Sequence, residues 1–472
     1  MNHPQIIQGG MGAGVSSWQL ANSVSQLGQL GVVSGIGLDI ALSRLLQMGD
    51  LEGHVRRALE NFPIPEIAER VRQRYFVEGG VKKEDSIKPA PMFTVSPGKT
   101  LTELLVVSNF VEVFLAKEGH KNPVGINYLE KVQMPCLYSI YGAMLAGVDY
   151  VLMGAGIPRE IPGVLDKFVK HEEATYKLNV IGATPEDNIK SIFDPKSLTE
   201  KLLPNLKRPN FLAIISSAIL AITMSRKATG SVEGFIIEAP TAGGHNAPPR
   251  GNKLDDKGEP LYGPKDEPDL EKIKSLGYPI WLAGSWGSPE KLEEAKKIGA
   301  AGIQVGTLFA FAKESGFTKD IKLKAMKKVF HNEAKIFADP LASPTGFPFK
   351  VLQLEGTLSE EELYLKRKRI CDMGYLRHVY KKEDGSLGYR CPSEPVEDYV
   401  KKGGAIEDTV GRKCLCNGLL ANIGLAKRQK YDYEEEPLVT AGDDINQIRN
   451  LINSEDDSYT AEDVINYLLG KK

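Results

Sequence analysis

The chain of 472 residues has only 5 cysteines, 3 tryptophans, almost no charge imbalance and no long apolar run. Each shortage removes a class of explanation. Few, scattered cysteines argue against a disulfide-built secreted scaffold and suit a reducing cytoplasm, the expected compartment. With 59 basic and 61 acidic residues the formal net charge is −2, so there is no electrostatic case for nucleic acid or an anionic membrane as partner. The most apolar stretch, Phe211 to Met224, is too short to span a bilayer and includes Ser216 and Ser217. The start, Met1-Asn-His-Pro-Gln-Ile-Ile-Gln, lacks a basic region followed by an apolar one, and no secretory signal is expected. A globular, enzyme-sized chain remains, 42% hydrophobic and 25% charged. It is long enough for one large domain of roughly 250–330 residues and a smaller one.

Short apolar runs ending in glycine or a small polar residue recur eight times: Gln5–Met11, Gly31–Gly37, Pro123–Leu129, Tyr150–Gly156, Asn210–Ser217, Gly234–Pro240, Pro279–Ser285 and Gly302–Phe309. Most precede an amphipathic stretch. After the first, Leu20, Val24 and Leu27 recur at helical spacing until Gly28. After the seventh, Ser288-Pro289 reads as N-cap and first helical residue, with Leu292, Ala295 and Ile298 on one face before Gly299. Repeated strand–helix alternation predicts an α/β fold with parallel strands, a (β/α)8 TIM barrel, with a doubly wound open sheet as the alternative. The barrel is expected over 1–335, with insertions at about 38–120 and 157–209. The first insertion carries helical patterns at 39–47, 66–76 and 101–117; the second holds Val180-Ile-Gly-Ala-Thr-Pro-Glu, a small insert of its own. Residues 336–472 are polar and turn-rich, and read as a separate, mostly helical or irregular C-terminal extension packed against the barrel.

The sixth run, Gly234-Phe-Ile-Ile-Glu-Ala239, leads into Pro-Thr-Ala-Gly-Gly-His-Asn-Ala-Pro-Pro-Arg-Gly251. A buried strand stopping at Gly-Gly-His delivers His245 to a barrel mouth, and Gly243 and Gly244 bare the backbone where a flat ligand can lie. A polar loop histidine is the other reading. Strands seven and eight end in Trp281-Leu-Ala-Gly-Ser-Trp-Gly287 and Ile303-Gln-Val-Gly-Thr-Leu-Phe309. Loops in these places form the common phosphate site of such barrels: Gly284 and Gly306 let backbone N–H groups approach, and Ser285 and Thr307 add hydroxyls. Plain strand-to-helix turns would look similar. At the opposite edge, Ile6-Ile-Gln-Gly-Gly-Met-Gly-Ala-Gly-Val-Ser16 leaves backbone exposed around Met11. Its glycines do not fit G-x-G-x-x-G, although Asp39 follows the second strand. A flat ring against Gly10-Met11, anchored through a phosphate at 284–307, fits FMN better than NAD.

With Ile6-Ile-Gln-Gly-Gly-Met, Ala242-Gly-Gly-His, Ala283-Gly-Ser and Gly302-Ile-Gln-Val-Gly-Thr in that order and spacing, residues 4–330 or so resemble the nitronate monooxygenase (2-nitropropane dioxygenase) family. That family also includes FMN-dependent enoyl-acyl-carrier-protein reductases. The resemblance implies an FMN-binding barrel with the flavin against Gly10 and Met11, near Gly243, and with Asn127 contributed by the third strand. Gly284, Ser285, Gly306 and Thr307 would hold the phosphate, with Gln304 nearby, and His245 matches the active-site histidine. It further implies oxidation of alkyl nitronates with O2, His245 hydrogen-bonding the substrate or removing its α-proton. Enoyl-thioester reduction, with the histidine stabilising an enolate, is the alternative, and a non-catalytic flavin barrel is a third reading. Two departures stand out: Asn246-Ala247-Pro248-Pro249 replaces the small residue and glycine usual after the histidine, and Ser285 replaces the usual second glycine. The extension, with Ala342-Ser-Pro-Thr-Gly-Phe-Pro-Phe349 and Cys414-Leu-Cys-Asn-Gly418, resembles that of longer family members.

Residues 246–268 are rich in proline, glycine and charge and should form a mobile loop over the rim, with Asn246 and Arg250 as substrate contacts. Arg250 offers a bidentate fork to a nitronate or carboxylate, unless it is simply solvated. The loop holds few apolar side chains to line an acyl channel, which favours a small anion. Cys371, Cys391, Cys414 and Cys416 lie at intervals of 20, 23 and 2 residues, unlike the paired C-x2-C of common zinc modules, so a structural metal stands beside inert buried thiols. Lys366-Arg-Lys-Arg369 reads as a solvated helix face.

Overall fold

In the computed structural model, residues 3–82, 85–251, 253–426 and 433–471 are described; Met1 and Asn2 of the start and Asn252 of the rim loop lie outside them. Eight parallel strands form a ring: β1 Ile6–Gln8, β2 Gly31–Ser34, β3 Val124–Leu129, β4 Tyr150–Gly154, β5 Asn210–Ile215, β6 Gly234–Glu238, β7 Ile280–Ala283 and β8 Gly302–Val305. Their order is β1-β8-β7-β6-β5-β4-β3-β2, and Gln8 N–H to Leu30 O (2.9 Å) with Leu30 N–H to Ile6 O (3.1 Å) joins the two ends. The fold is therefore a (β/α)8 barrel, and each expected strand occurs in its expected run. Closure distinguishes it from the open doubly wound sheet.

Alternation along each strand sorts side chains into two cores. Ile7, Leu30, Val32, Leu152, Leu212, Ile236 and Trp281 fill the barrel interior, whereas Ile6 and Val33 face the helices outside. Buried Gln8 adds a polar clasp: its Oε1 accepts from Val32 N–H (3.0 Å) and its Nε2 donates to Ser16 Oγ (2.8 Å). Gly31 is required because a Cβ there would lie 1.9 Å from Ala21 O in the preceding helix, Trp18–Gln26.

The first insertion holds helices Leu38–Gln47, Pro65–Tyr75 and Lys99–Lys117, as expected, and also His54–Glu60. That last helix buries only Val55, Ala58 and Leu59, too short a pattern to announce itself. In the second insertion, Val180–Ile181 pairs in parallel with His378–Lys381 of the extension, which pairs in turn with Leu387–Arg390. The chain's last helix, Ala461–Leu468, packs against Trp18–Gln26 and Pro289–Ile298, between the barrel's first and seventh outer helices. No helix among the described residues is long and apolar enough to cross a membrane.

The basic run 366–369 is not a solvated face. Its helix, Glu361–Lys366, ends and the chain extends at Arg367, so the four side chains point to different surroundings. Arg367 is buried and grips Glu435 bidentately (Nε–Oε1 3.0 Å, Nη2–Oε2 3.1 Å), and Arg369 donates to Pro392 O and Thr409 O. A buried charge stripped of its partner is costly, whereas replacing both charges is much less so. Arg367→Met should cost about 3–5 kcal/mol in denaturant unfolding, and the double change with Glu435→Leu should recover most of the loss.

Candidate active site

The C-terminal ends of the strands open onto a cavity enclosing about 1390 Å³, part of it open to solvent. The loop after β1 is tied back by Ser16: Met11 N–H donates to its Oγ (2.8 Å), and that Oγ donates to Gly9 O (2.8 Å). Gly10 is bare because a Cβ would fall 2.3 Å from the Cβ of Asn127 at the end of β3. Gly10, Met11, Asn127, Gly243, His245, Gly284, Ser285, Gln304, Gly306 and Thr307 all line this cavity, so the structure brings these sequence candidates together.

The turn after β7 places Gly284 at φ +86° and Ser285 at φ +56°, two consecutive left-handed residues. Glycine suits both positions; serine at the second accepts a strained backbone. After β8, Gly306 leaves a bare floor, where an added Cβ would sit 3.5 Å from Met11 Sδ. Thr307 opens the short helix Thr307–Ala310, but its hydroxyl is engaged by the extension. It accepts from Gly442 N–H (2.9 Å) and donates to the Asp444 carboxylate, which also accepts from Gly287 N–H. Burial raises the pKa of that carboxyl. The part of the turn expected to offer a free hydroxyl to an anion is thus occupied by the chain itself.

The Gly-Gly-His turn meets the extension too. Lys350 N–H donates to Gly244 O (2.9 Å), Asn246 N–H to Pro348 O (3.0 Å) and Gly244 N–H to Thr440 Oγ1 (2.7 Å). A Cβ on Gly243 would meet the backbone of Ala441 and Gly442 at 2.9 Å, so this glycine makes room for the tail as well as for the cavity. His245 Nε2 lies 2.7 Å from Ser343 Oγ, which is also 2.8 Å from Thr345 Oγ1, and its ring stands edge-on to Phe349 at 4.9 Å. Burial, with nearby Lys131, pushes the imidazole pKa down to about 4, so His245 is neutral at neutral pH. Lys131 is itself lowered to about 8 by burial, its ammonium 3.0 Å above the Phe347 ring centre.

His245 also borders a second cavity, lined by Asn246, Arg250, Tyr262 and Asp266 together with Ile157, Ile214, Ile215, Leu220, Pro240 and Phe347. Most of its apolar wall comes from β5, the helix after it, the loops after β4 and β6 and the extension, with Ala247 and Pro248 added by the rim loop. The loop is pinned, with Arg250 N–H donating to Asp266 Oδ1 (2.8 Å) and Tyr262 O–H to Ala247 O (2.9 Å). Asn246 is buried; its Nδ2 donates to Ala242 O (3.0 Å), and its Oδ1 has no partner. One residue was missed. Glu238 ends β6 and lines both cavities, and burial alone raises its carboxyl to about 7. A carboxylate closing an otherwise apolar strand was the available signal.

Asp39 accepts from the Tyr375 hydroxyl and is buried, its pKa raised to about 6 by desolvation, so it does not present itself to a ribose. Cys371, Cys391, Cys414 and Cys416 border one small void, all as free thiols. Burial raises Cys371 and takes Cys391 to about 12, whereas a hydrogen bond from Cys416 lowers Cys414. Among the described residues no group of three or more His, Cys, Asp or Glu is arranged to hold a metal ion.

No protein-family model matches the sequence, and no curated protein does. Many solved structures match, three of them along nearly the whole chain as follows. FabK from Thermotoga maritima has 15% identity and a TM-score of 0.49, covering 100% of this chain and 92% of that one. Nitroalkane oxidase from Streptomyces ansochromogenes has 14% and 0.44, covering 99% and 95%. The enoyl reductase domain of MlnA from the macrolactin biosynthesis cluster of Bacillus amyloliquefaciens has 12% and 0.46, covering 99% and 94%. Such likeness concerns chain arrangement and says nothing of chemistry.

The strained turn yields a direct test. Ser285→Gly should relieve the left-handed backbone and stabilise the protein by about 0.5–1 kcal/mol in thermal or denaturant unfolding.

Proposed function

We propose that the protein is an FMN-dependent oxidoreductase that reduces the double bond of an elongated, partly apolar enoyl thioester. The observation that carries the choice of substrate is the second cavity, whose apolar walls continue from the barrel mouth past His245. The preference for a small anion rested on the rim loop having few apolar side chains. Because most of the apolar wall comes from other elements, few apolar side chains in the loop no longer argue against an acyl channel. Arg250 at the rim still favours one further reading, oxidation of a small alkyl nitronate with O2.

The mouth fits a flavin. Gly306 leaves a bare floor facing Met11, and Gln304 has a buried Oε1 with no partner, an orphan acceptor suited to a ring N–H. Gly10, Met11 and Asn127 would flank the ring, and the backbone of Gly284, Ser285, Gly306 and Thr307 would face the phosphate, with Gly243 beside the ring. When bound, FMN supplies hydride transfer. The chain's own part is orientation and charge. Neutral His245, fixed by Ser343, offers an N–H to a thioester carbonyl and stabilises the negative charge that grows on its oxygen. Arg250 and Asn246 would steer the substrate's polar end. We read the barrel, 1–335, as carrier of the cofactor and the extension, 336–472, as completing the site. Five free thiols suit a cytoplasmic setting.

Purified protein should carry flavin absorbance, bleach anaerobically with NADH or NADPH, and recolour with an enoyl thioester. Bleaching by an alkyl nitronate, with no response to reduced nicotinamide, would overturn the reductase reading. His245→Ala should keep the flavin spectrum and lower turnover by about 10²–10³-fold, as for loss of one oxyanion donor. Gly306→Leu should instead weaken flavin retention, seen as colourless protein after gel filtration.

A further inference from the structure

We propose that Glu238, rather than His245, is the group that exchanges a proton with the substrate, from the partition between the two cavities. This rests on the functional reading above and deepens it. Glu238 closes β6 with its backbone in register with Ala283 of β7, and its side chain borders both cavities. A ligand reaching from the barrel mouth into the space beyond His245 therefore passes it. No hydrogen bond or ion pair among the described residues engages the carboxyl. Glu238 is half-buried, its carboxyl desolvated yet open to the cavities and without a protein partner, an arrangement explained if a bound molecule supplies the partner.

The charged and titratable groups around it leave its proton alone. His245 borders both cavities with it, Asp444 lies across the first, and Arg250, Tyr262 and Asp266 lie in the second. Lys131 acts on His245. None of them sets the carboxyl's charge: burial alone holds it near 7, so it is partly protonated at neutral pH. His245 has the opposite character. Its pKa near 4 makes it neutral, Nε2 faces Ser343, and a neutral imidazole releases its N–H proton only at great cost. The histidine is suited to hydrogen-bond an oxygen, the glutamic acid to transfer a proton.

Held beside Gly10, Met11 and Asn127, FMN reduced by a nicotinamide would supply the hydride that the β-carbon takes up. The double-bond pair moves toward the α-carbon and thioester carbonyl. The α-carbon then takes the O–H proton of Glu238, leaving a carboxylate that water reprotonates through the second cavity.

Two measurements on Glu238→Gln test this. The first needs neither flavin nor substrate. A carboxyl whose folded pKa is raised is fully tolerated below its unfolded value of about 4.5, and it destabilises the fold increasingly as pH rises toward 7. The melting temperature of Glu238→Gln relative to wild type should therefore climb between about pH 5 and 8; a flat difference would overturn the proposal. The second is the pH profile of enoyl reduction. Wild-type turnover should fall on the alkaline side with a midpoint near 7, and Glu238→Gln should lose about 100-fold, with Glu238→Asp partly restoring both rate and limb. Full turnover in Glu238→Gln, or the same alkaline limb, would also overturn it. A climbing melting difference in a protein that reduces no thioester would refute the functional reading and not the proton held at Glu238.

Discussion

The backbone exchange between the Gly244-His245-Asn246 turn and Pro348–Lys350 is the interaction on which the site depends. Two N–H···O bonds hold His245 opposite Phe349 as a strand pair, and this places Ser343 and Thr345 at its Nε2. The same strand holds the tail. Leu352 N–H donates to Val439 O (2.9 Å), and buried Lys350 reaches the Asp443 carboxylate at 2.7 Å. Thr440 through Asp444 then run across the glycine turns of β6, β7 and β8. Remove the exchange and neither the histidine nor the phosphate-side turns keep their neighbours.

Burial in this mouth acts in opposite senses on its two proton carriers. Desolvation disfavours the charged form of each, so it pushes His245 down and Glu238 up. Both are neutral over much of the range between their pKa values, about 4 and about 7. A neutral mouth suits an apolar ring and an acyl chain better than a fixed cation would. Asp444 follows the same rule, because the Thr307 hydroxyl and Gly287 N–H stabilise its anion while burial works against it.

The barrel was legible because parallel strands covered on both faces are written as short, mainly apolar runs, and all eight appear as such. The cavity-lining glycines were legible for a related reason: turns at strand ends are local, and Gly10, Gly284 and Gly306 mark them within a few residues. What escaped was non-local or ambiguous in composition. Ser343 meets His245 across 98 residues, and Gly442 meets Thr307 across 135. No spacing rule reports such pairs. Arg367 looked solvated because a run of four cations usually is, yet Glu435, 68 residues on, makes its burial possible. Glu238 sat in plain view, but an acidic residue at a strand end reads as solvent-facing until the cavity around it is seen.

The extension accordingly does more than cover the barrel. Its last helix takes the place between the first and seventh outer helices, its strand pairs with the histidine turn, and its tail supplies Asp444 to the turns expected to bind phosphate. A (β/α)8 barrel whose eighth outer position is filled by residues 461–468 has its cavity face joined to its closing helix through the tail 438–468. Displacement of the tail would reach both the His245 strand pair and the Thr307 hydroxyl, because Leu352 of the paired strand bonds Val439 and Gly442 bonds Thr307. The tail thereby links the histidine proposed to polarise substrate to the turn proposed to face a cofactor phosphate, two ends of one cavity that the barrel alone leaves independent.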